Sequence, residues 1–439
     1  MKLVRTVLTL ALALAVTGCG GSDAPPAEGV PPAGQWYAGD FHVHTSLASN
    51  DTRYPDGSLH SFPEAIRETA IARGMSFVVL TDHSNSAGSI VDTTVEDGRQ
   101  WNQGPEFPLW DLAAQLSDAR FLMIDGSEIS PVSTLDAAIC EHCPTLGTGM
   151  LTPVGHIGCV PEDLATFDRT GAFIDRPPGG VTGGSCVAQC QARNGFTIIN
   201  HPFYRATPWI DYDWTSFDYD AIEVWNGSAG FTGFDRQAYD AYVCDRLAGR
   251  PVVAVGGSDN HRTPLPYADP VTVDAGPPLG LPMTSVFAER LEWPAIMNGL
   301  RRGRIVIHEL GTFVEFRVGS NGADLGGIGD TLALAGTTAT LYVRGQSPRP
   351  QELRIVHVAP DGCTERRQPG SDVSPRVAST VVHSEIVCPT DACSFEHDVV
   401  VTLASGLYYA TVGEYATANF NARDIAVTNA LVVAEAEVN

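Results

Sequence analysis

Histidine and carboxylate residues recur along the first two thirds of the chain at intervals that suit metal binding. His42 and His44 are separated by one residue and follow an extended run. Residues two apart in a strand point to the same side, so both imidazoles could reach one ion. Further groups of this kind accompany five later apolar runs, in the order His83, Glu128, His156, His201, and Asp259 with His261.

These eight groups exceed the needs of one ion, so the sequence predicts a centre of two or three metals if one fold brings them together. Mixed imidazole and carboxylate ligands favour Zn²⁺, Mn²⁺ or Fe²⁺ over Mg²⁺ and Ca²⁺, which prefer oxygen ligands. A carboxylate such as Glu128 could bridge two ions roughly 3.5–4 Å apart and leave a hydroxide between them as the nucleophile. The expected chemistry is ester hydrolysis, with these catalytic residues: His42, His44, Glu128 and Asp259.

Strand-like and helix-like stretches alternate between residues 36 and 310, which predicts a parallel sheet with helical crossovers. The apolar strand Ser76–Leu80 runs into Thr81-Asp82-His83, and a helix is expected to begin at Ser61 and Pro63 and end at Gly74. In a βα-barrel the ends of the strands share one rim, where side chains from separate strands converge. We therefore expect the metal-type residues to lie together where the strands end.

The sequence pattern changes at about residue 311. Short alternating runs separated by Gly, Pro and Asp predict an all-β sandwich over residues 311–439. The histidines of the last third have no paired spacing, so each is predicted to be solvated or locally hydrogen-bonded: His308, His357, His383 and His397.

The ordered motifs resemble those of the polymerase and histidinol phosphatase (PHP) superfamily. The resemblance rests on His42-x-His44, Thr81-Asp82-His83, Glu128, His156, His201 and Ser258-Asp259-x-His261. The segments Gly-Ser-Glu-Ile, Gly-His-Ile, Ile-Glu-Val-Trp-Asn and Gly-Gly-Ser-Asp-Asn-His are most similar to its CehA/McbA metallohydrolase branch, and the similarity spans residues 36–310.

This resemblance implies an α/β fold, a distorted (β/α)₇ TIM-like barrel of PHP type, with a di- or trinuclear site. It implies His42, His44, Glu128 and Asp259 around one ion and Glu128, His156 and His201 around a second. A third ion would be bound by His83 and His261, together with an aspartate shortly after the His-x-His motif. Asp51 is the preferred candidate for that aspartate and Asp56 the alternative.

Other polar residues near the motifs have two interpretations each. Asp82 is predicted to orient a ligand histidine, or else to be a turn aspartate. Glu223 and Asn226 could contact substrate or equally be a structural strand end. Arg205 and Arg262 could clamp a phosphate or carboxylate, but most arginines are simply solvated.

The N-terminus resembles an export signal. Two basic residues, a short apolar run and Val16-Thr17-Gly18-Cys19 predict a lipoprotein signal peptide over residues 1–18, with Cys19 lipidated. Residues 19–35 are expected to be a flexible linker. The sequence therefore predicts an exported protein, anchored by lipid in the bacterial cell envelope and otherwise without membrane contact.

Composition excludes several functions. The net charge of −24 disfavours a nucleic-acid substrate, since no basic groove is evident. Lys2 is the only lysine, so the mature chain lacks a P-loop lysine, a Schiff-base lysine or a Ser-Lys dyad. The ten cysteines favour disulfides over a zinc knot of Cys140, Cys143, Cys186 and Cys190.

The function predicted from the sequence is an extracytoplasmic metal-dependent hydrolase for a small-molecule ester, with phosphomono- or diesters preferred. A carbamate or carboxyl-ester hydrolase of CehA/McbA type is the first alternative. The second is a non-catalytic, metal-stabilised binding protein at the cell surface.

Overall fold

The computed structural model of the chain describes residues 33–49, 52, 60–83, 109–129, 131, 155–170, 183–203, 218–231, 233–263, 277–320, 322–365, 376–414 and 423–435. Within these ranges, no helix combines the length and the apolar character needed to cross a membrane.

Five helices are present in the described residues, and the first occurs where the sequence predicts a helix. The first begins with Pro63, whose fixed φ and missing N–H suit the first turn. The residue before it, Phe62, is the N-cap, whereas the Ser61 hydroxyl donates to the carbonyl oxygen of His261. The helices are α1 (Pro63–Ala72), α2 (Trp110–Leu116), α3 (Gly183–Ala192), α4 (Gly233–Leu247) and α5 (Trp293–Arg301).

A large mixed sheet contains the first strands of the chain. Parallel pairing joins β1 to β2 and β2 to β3, and β1 also pairs antiparallel with β9. These strands are β1 (Gln35–Val43), β2 (Phe77–Leu80), β3 (Leu122–Asp125), β9 (Met283–Ala288) and, beside β9, β10 (Ile305–His308).

A second sheet of five strands follows the order β4-β5-β6-β7-β8. Its later strands are parallel, but β5 is antiparallel to both neighbours. The strands are β4 (Ser127–Ile129), β5 (His156–Pro161), β6 (Gly195–Asn200), β7 (Ala221–Asn226) and β8 (Val253–Gly257).

A closed TIM-type barrel is not evident in the described residues, so the distorted (β/α)₇ barrel stays a prediction. Hydrogen bonding divides the strands between the two sheets. The sheets meet through isolated bridges between Val43 and Asn260 and between His83 and Glu128. Hydrophobic periodicity indicates a strand but not its direction, so the sequence did not reveal that β5 runs antiparallel.

The last third of the chain is all β in its described part, as predicted. A four-stranded sheet, β12-β11-β14-β19, packs against strands of the large sheet through a core that includes Phe316, Leu341, Leu353 and Ala410. The strands are β11 (Phe313–Ser320), β12 (Ala323–Gly327), β13 (Thr331–Leu332), β14 (Thr338–Ser347), β15 (Gln351–Val358), β16 (Cys363–Glu365), β17 (Arg376–Val377), β18 (Thr380–Val387), β19 (Cys393–Thr402), β20 (Gly406–Gly413), β21 (Asp424–Thr428) and β22 (Leu431–Val433).

The large sheet is continuous across the predicted domain boundary at residue 310, because β10 pairs with β21 near the C-terminus. A disulfide between Cys244 in α4 and Cys363 in β16 also joins the two parts. The position of the boundary stays a prediction. The α/β part and the β-sandwich are connected by this disulfide and by the hydrogen bonds of one continuous sheet.

Two other disulfides lie within single parts of the fold. Cys159 on β5 bonds Cys190 on α3, and Cys388 bonds Cys393 between β18 and β19. Because Cys190 forms a disulfide with Cys159, its thiol cannot be a ligand in the alternative zinc knot. Of its three other proposed members, Cys186 is buried on α3, and Cys140 and Cys143 lie outside the described residues.

Candidate metal centre

Glu128 is the centre of the candidate site. It lies on β4, is 1% exposed, and both of its carboxylate oxygens face imidazole nitrogens. Oε1 lies 3.0–3.2 Å from the nearest ring nitrogens of His42, His156 and His201. Oε2 lies 3.2 Å from Nδ1 of His83 and 3.4 Å from Nε2 of His44. Five imidazoles therefore surround one buried carboxylate.

Asp259 forms a second point of convergence beside the first. Its Oδ1 lies 3.3 Å from Nε2 of His42, 3.2 Å from Nε2 of His44 and 3.6 Å from Nδ1 of His261. The rings of His44 and His261 stack with their centroids 4.0 Å apart. The structure thus brings together the eight groups that the sequence singled out.

Four overlapping triads in this cluster have donor atoms within 4.8 Å of one another: His42, His44 and Asp259; His42, Glu128 and His201; His83, Glu128 and His156; and His44, His83 and His261. They share members, as a multinuclear centre requires. The ion sets implied by the family resemblance overlap these triads without matching them, and the assignment of each ligand to an ion stays a prediction.

The residues fit the metal ions that the sequence implies. Nε2 of His42 and Nε2 of His44 are buried and make no hydrogen bond of acceptable geometry, although carboxylate oxygens lie within 3.4 Å. A buried polar atom without a hydrogen bond costs roughly 1–3 kcal/mol. A convergence of ring nitrogens and carboxylate oxygens that leaves buried nitrogens such as these without a hydrogen bond is the arrangement expected around cations.

Glu223 positions His42 from behind. Its Oε1 accepts from Nδ1 of His42 at 3.0 Å, and its Oε2 accepts from the backbone N–H of His201 at 2.8 Å. Such a carboxylate fixes the tautomer of a metal-binding imidazole and leaves Nε2 for the ion. Glu223 is 2% exposed, so the structure favours a positioning role over the predicted substrate contact. Asn226 donates to Glu223 at 3.0 Å and reaches Asp259 at 3.4 Å, which favours a similar role.

A serine that the sequence analysis missed positions His44. Ser49 Oγ lies 3.1 Å from Nδ1 of His44 and accepts from the backbone N–H of His83 at 3.2 Å. Its hydroxyl also bonds the carboxylate of Asp82, which in turn accepts from the backbone and hydroxyl of Thr45. The predicted effect of Asp82 on the orientation of a ligand histidine would therefore act through Ser49 on His44. No motif identifies Ser49, because its position five residues after His44 depends on the loop conformation.

Asp40 is a second residue that the sequence analysis missed. It is fully buried on β1, and its carboxylate accepts from the backbone N–H groups of His42, Ser258 and Gly280 at 2.8–3.1 Å. Burial raises the pKa of Asp40 to about 6, although these hydrogen bonds oppose the shift. The carboxyl group ties β1 to the loop that carries Asp259.

Two of the candidate ligands lie on strained backbone. His201 has φ of 26° and Asp259 has φ of 51°, within the left-handed region that non-glycine residues seldom adopt. Strain of this kind persists where surrounding contacts enforce it, and it concentrates at functional sites.

His156 lies at the first residue of β5, not at the end of a strand. It still reaches the cluster because β5 is antiparallel to β6, and His156 pairs in register with Asn200. Asn200, another missed residue, donates from Nδ2 to Oε1 of Glu128 at 2.9 Å.

The electrostatics of the cluster divide the imidazoles into two classes. Burial lowers the pKa of His42, but Glu128, Asp259 and Glu223 outweigh burial and raise it well above the ordinary value. The pKa of His201 is raised in the same way, mainly by Glu128. Burial, with the neighbouring His261 and His83, lowers the pKa of His44 to about 3. Burial also lowers the pKa of His156, although Glu128 opposes it.

The two carboxylates of the cluster are held in their charged forms. Burial raises the pKa of Glu128, but His156 and His42 outweigh it and bring the pKa well below the ordinary value. For Asp259 the same opposition to burial comes from His42 and His261, and its pKa is also well below the ordinary value. Both carboxylates are therefore ionised and available to cations at neutral pH.

A pocket of about 270 Å³ opens beside His201 and Asp259. Among its described lining residues there is no arginine or lysine. Its apolar wall consists of Pro202, Phe203, Phe234, Ala238 and Pro277.

The remaining candidate residues lie elsewhere. Arg262 is half-buried directly after His261, and its contact with substrate stays a prediction. The others lie outside the described residues: Asp51, Asp56, Arg205 and Cys19.

No protein-family model matches the sequence, and no curated protein matches it. Among solved structures, the chain is similar to a two-domain protein from Bacteroides vulgatus ATCC 8482 that contains a predicted PHP-like metal-dependent phosphoesterase. The identity is 15%, the TM-score is 0.43, and the alignment covers 94% of this chain and all of that one. The C-terminal domain of wzt aligns with 30% of this chain and 78% of its own length, at 13% identity and a TM-score of 0.19. Both similarities are too low to support an argument, so the site is interpreted from its own geometry.

Proposed function

We propose that this chain is a metal-dependent hydrolase that acts on phosphomono- or diesters of small molecules. The observation that carries the proposal is the convergence of five imidazoles on Glu128, with Asp259 and His261 completing the cluster beside them. The fold does not need a buried cluster of this composition, because buried polar groups that are only partly hydrogen-bonded destabilise a protein.

The cluster would hold two or three divalent transition-metal ions, of Zn²⁺, Mn²⁺ or Fe²⁺ type. When bound, such ions supply Lewis-acid catalysis and lower the pKa of a water molecule. Glu128 is the side chain best placed to be shared between ions, because each of its oxygens faces a different set of imidazoles.

The chain's own residues orient this centre. Glu223 keeps Nε2 of His42 directed at the cluster, and Ser49 does the same for His44. Asp259 and His261 are each 23% exposed, so the side of the cluster that they form is where an ester group would enter. The organic part of the substrate would then lie against Phe203 and Phe234 in the adjoining pocket.

A neutral ester is the second candidate substrate, and one observation favours it. The described wall of the pocket has no cationic side chain that would clamp a phosphate, so substrate charge would be met by the metal ions alone. A carbamate or carboxyl ester with an apolar leaving group would fit the same wall, as the CehA/McbA resemblance suggests.

We also propose that the two sheets around the site form the distorted barrel that the PHP resemblance implies. The bridges from Val43 to Asn260 and from His83 to Glu128 support this, because they join the sheets at the rim that carries the ligands. The proposed location is outside the cytoplasm, with a lipid anchor at Cys19. The three disulfides of the described part suit an oxidising compartment.

The test compares three substrates on the metal-loaded full chain: p-nitrophenyl phosphate, bis-p-nitrophenyl phosphate and 1-naphthyl N-methylcarbamate. Hydrolysis of either phosphoester that is lost with Glu128→Gln supports the first candidate, and preference for the carbamate supports the second. Phe234→Ala should raise KM for aryl esters by roughly tenfold and change kcat little, since a pocket contact of this kind acts on binding. No turnover of any substrate by a correctly folded, metal-loaded chain would favour the non-catalytic binding protein.

A further inference from the structure

A second group of metal-type side chains lies in the β-sandwich, where the sequence indicated none. His383 and Glu385 point to one face of β18, and His397 points to one face of β19. Nearby residues on the same faces, Val387 and Phe395, belong to the core between the two sheets. The three polar side chains therefore face inward, at the edge where β18 of the large sheet and β19 of the four-stranded sheet come together.

Glu385 connects the two imidazoles. Its Oε2 lies 3.0 Å from Nδ1 of His397 and 3.5 Å from Nε2 of His383. The Nε2 atoms of both histidines are inaccessible to solvent and make no hydrogen bond within the described part of the chain. This contrasts with His357 on β15, whose Nε2 donates to the carbonyl oxygen of Ser405 at 2.9 Å. The prediction of a solvated or locally bonded imidazole holds for His357 but does not account for Nε2 of the other two.

We propose that His383, Glu385 and His397 form a separate binding site for one zinc-type divalent cation, which braces the two sheets of the β-sandwich. Two imidazoles and one carboxylate are a ligand set of the borderline metals, with water as the usual fourth ligand. The histidine side chains are 24–25% exposed and that of Glu385 is 42% exposed, so an ion can enter from solvent.

The site is held on rigid elements. The Cys388–Cys393 disulfide joins the end of β18 to the start of β19. The register pairs His383 with Ile355 on β15 and His397 with Val343 on β14, both buried core residues. The main cluster is the candidate metal centre of eight side chains that includes Glu128 and Asp259. The donor atoms of the trio lie farther apart than those of the four triads in the main cluster, which all lie within 4.8 Å of one another. Binding should therefore draw the two imidazoles together and should be weaker than in the main cluster.

The experiment counts zinc bound to the full chain after equilibrium dialysis against micromolar Zn²⁺. The wild type should hold one equivalent more than Glu385→Gln and than the double variant His383→Gln/His397→Gln. His357→Gln is the matched control, because it removes a histidine of the same sandwich, and it should retain the extra equivalent. Added Zn²⁺ should also raise the unfolding midpoint of the wild type more than that of the two trio variants.

Equal zinc content in the wild type and both trio variants would overturn the proposal. Should a variant fail to fold, crystals of the wild-type chain soaked in Zn²⁺ decide the question. An anomalous peak between His383, Glu385 and His397 is expected, and its absence contradicts the site. None of these side chains belongs to the main cluster, so the outcome is independent of whether that cluster is catalytic.

Discussion

The main cluster has two halves that are held in different ways. The fixed half comes from β1 and the segment after β2, and its imidazoles are 5% exposed or less: His42, His44 and His83. The open half comes from β5 and the segments after β6 and β8, and its four side chains are those of His156, His201, Asp259 and His261. All of them except His201 are 14–23% exposed. The fixed half is oriented by carboxylate and hydroxyl groups behind the rings, and the open half includes the two ligands on left-handed backbone.

The difference separates two tasks within one centre. Side chains that are buried and held from behind would fix the positions of any bound ions, whereas the more exposed side chains would leave room for water and substrate. The apolar pocket adjoins His201 and Asp259, both in the open half. Changes behind the fixed half should therefore act on metal affinity, and changes at the open half should act on substrate.

The largest effect is expected for Glu128→Gln, because Glu128 is common to both halves. The amide keeps the size of the side chain but removes the charge that five imidazoles face. Phosphoesterase activity should fall by at least about 10³-fold, since transition-state stabilisation of several kcal/mol depends on the ions. Steady-state kinetics with circular dichroism as a fold control measure this. Activity within tenfold of the wild type would contradict the central position of Glu128.

Glu223→Gln should weaken metal affinity by roughly 10- to 100-fold, the usual cost of removing a carboxylate behind a ligand histidine. Competition with a chromophoric chelator measures the dissociation constant. Glu162→Gln is the matched control, because Glu162 pairs with Arg301 on the outer surface. A change in KM with unaltered metal affinity would instead restore Glu223 as a substrate contact.

Metal affinity should rise with pH, and the two halves should contribute alike. The pKa of His42 in the fixed half and that of His201 in the open half are raised, so the metal-free protein holds protons there that an ion must displace. His44, with its pKa lowered to about 3, is neutral at working pH and releases none. Calorimetric titrations in buffers of different ionisation enthalpy should detect proton release between about pH 6 and 8. Binding without proton release would contradict the expectation that these two imidazoles are protonated in the metal-free protein and that an ion displaces their protons.

Ser49→Ala should have the smallest effect. It removes the hydroxyl between His44 and Asp82 but leaves both of these groups in place. Metal affinity should fall by about tenfold, at the lower end for such supporting groups, and KM should not change once metal is saturating. Ser185→Ala, in α3, serves as the control. A larger effect on KM than on metal affinity would place Ser49 in the open half instead.

Much of this site could be predicted from sequence because its ligands adjoin short apolar strands. The strand ends at His42 and His201 and the segments after β2 and β8 are local features, and their convergence follows from the layout of a sheet. The supporting groups are different, because Ser49 and Asp40 act through loop conformation and burial, which leave no spacing pattern.

The fold was predictable to a similar degree. Helices such as α4 and strands such as β20 follow from local periodicity. The antiparallel direction of β5 and the pairing of β10 with β21 depend on contacts between distant parts of the chain. A local sequence pattern cannot show such contacts, which explains why the alternation of strands and helices predicted a parallel sheet throughout.

The most direct test of the account is an anomalous diffraction experiment on crystals of the metal-loaded chain, with data at the zinc, iron and manganese absorption edges. Two or three peaks are expected among the eight side chains, with at least one peak in contact with Glu128. A map without a peak at Glu128, from crystals in which the protein is otherwise as described, would contradict a multinuclear metal centre and with it the proposed hydrolase.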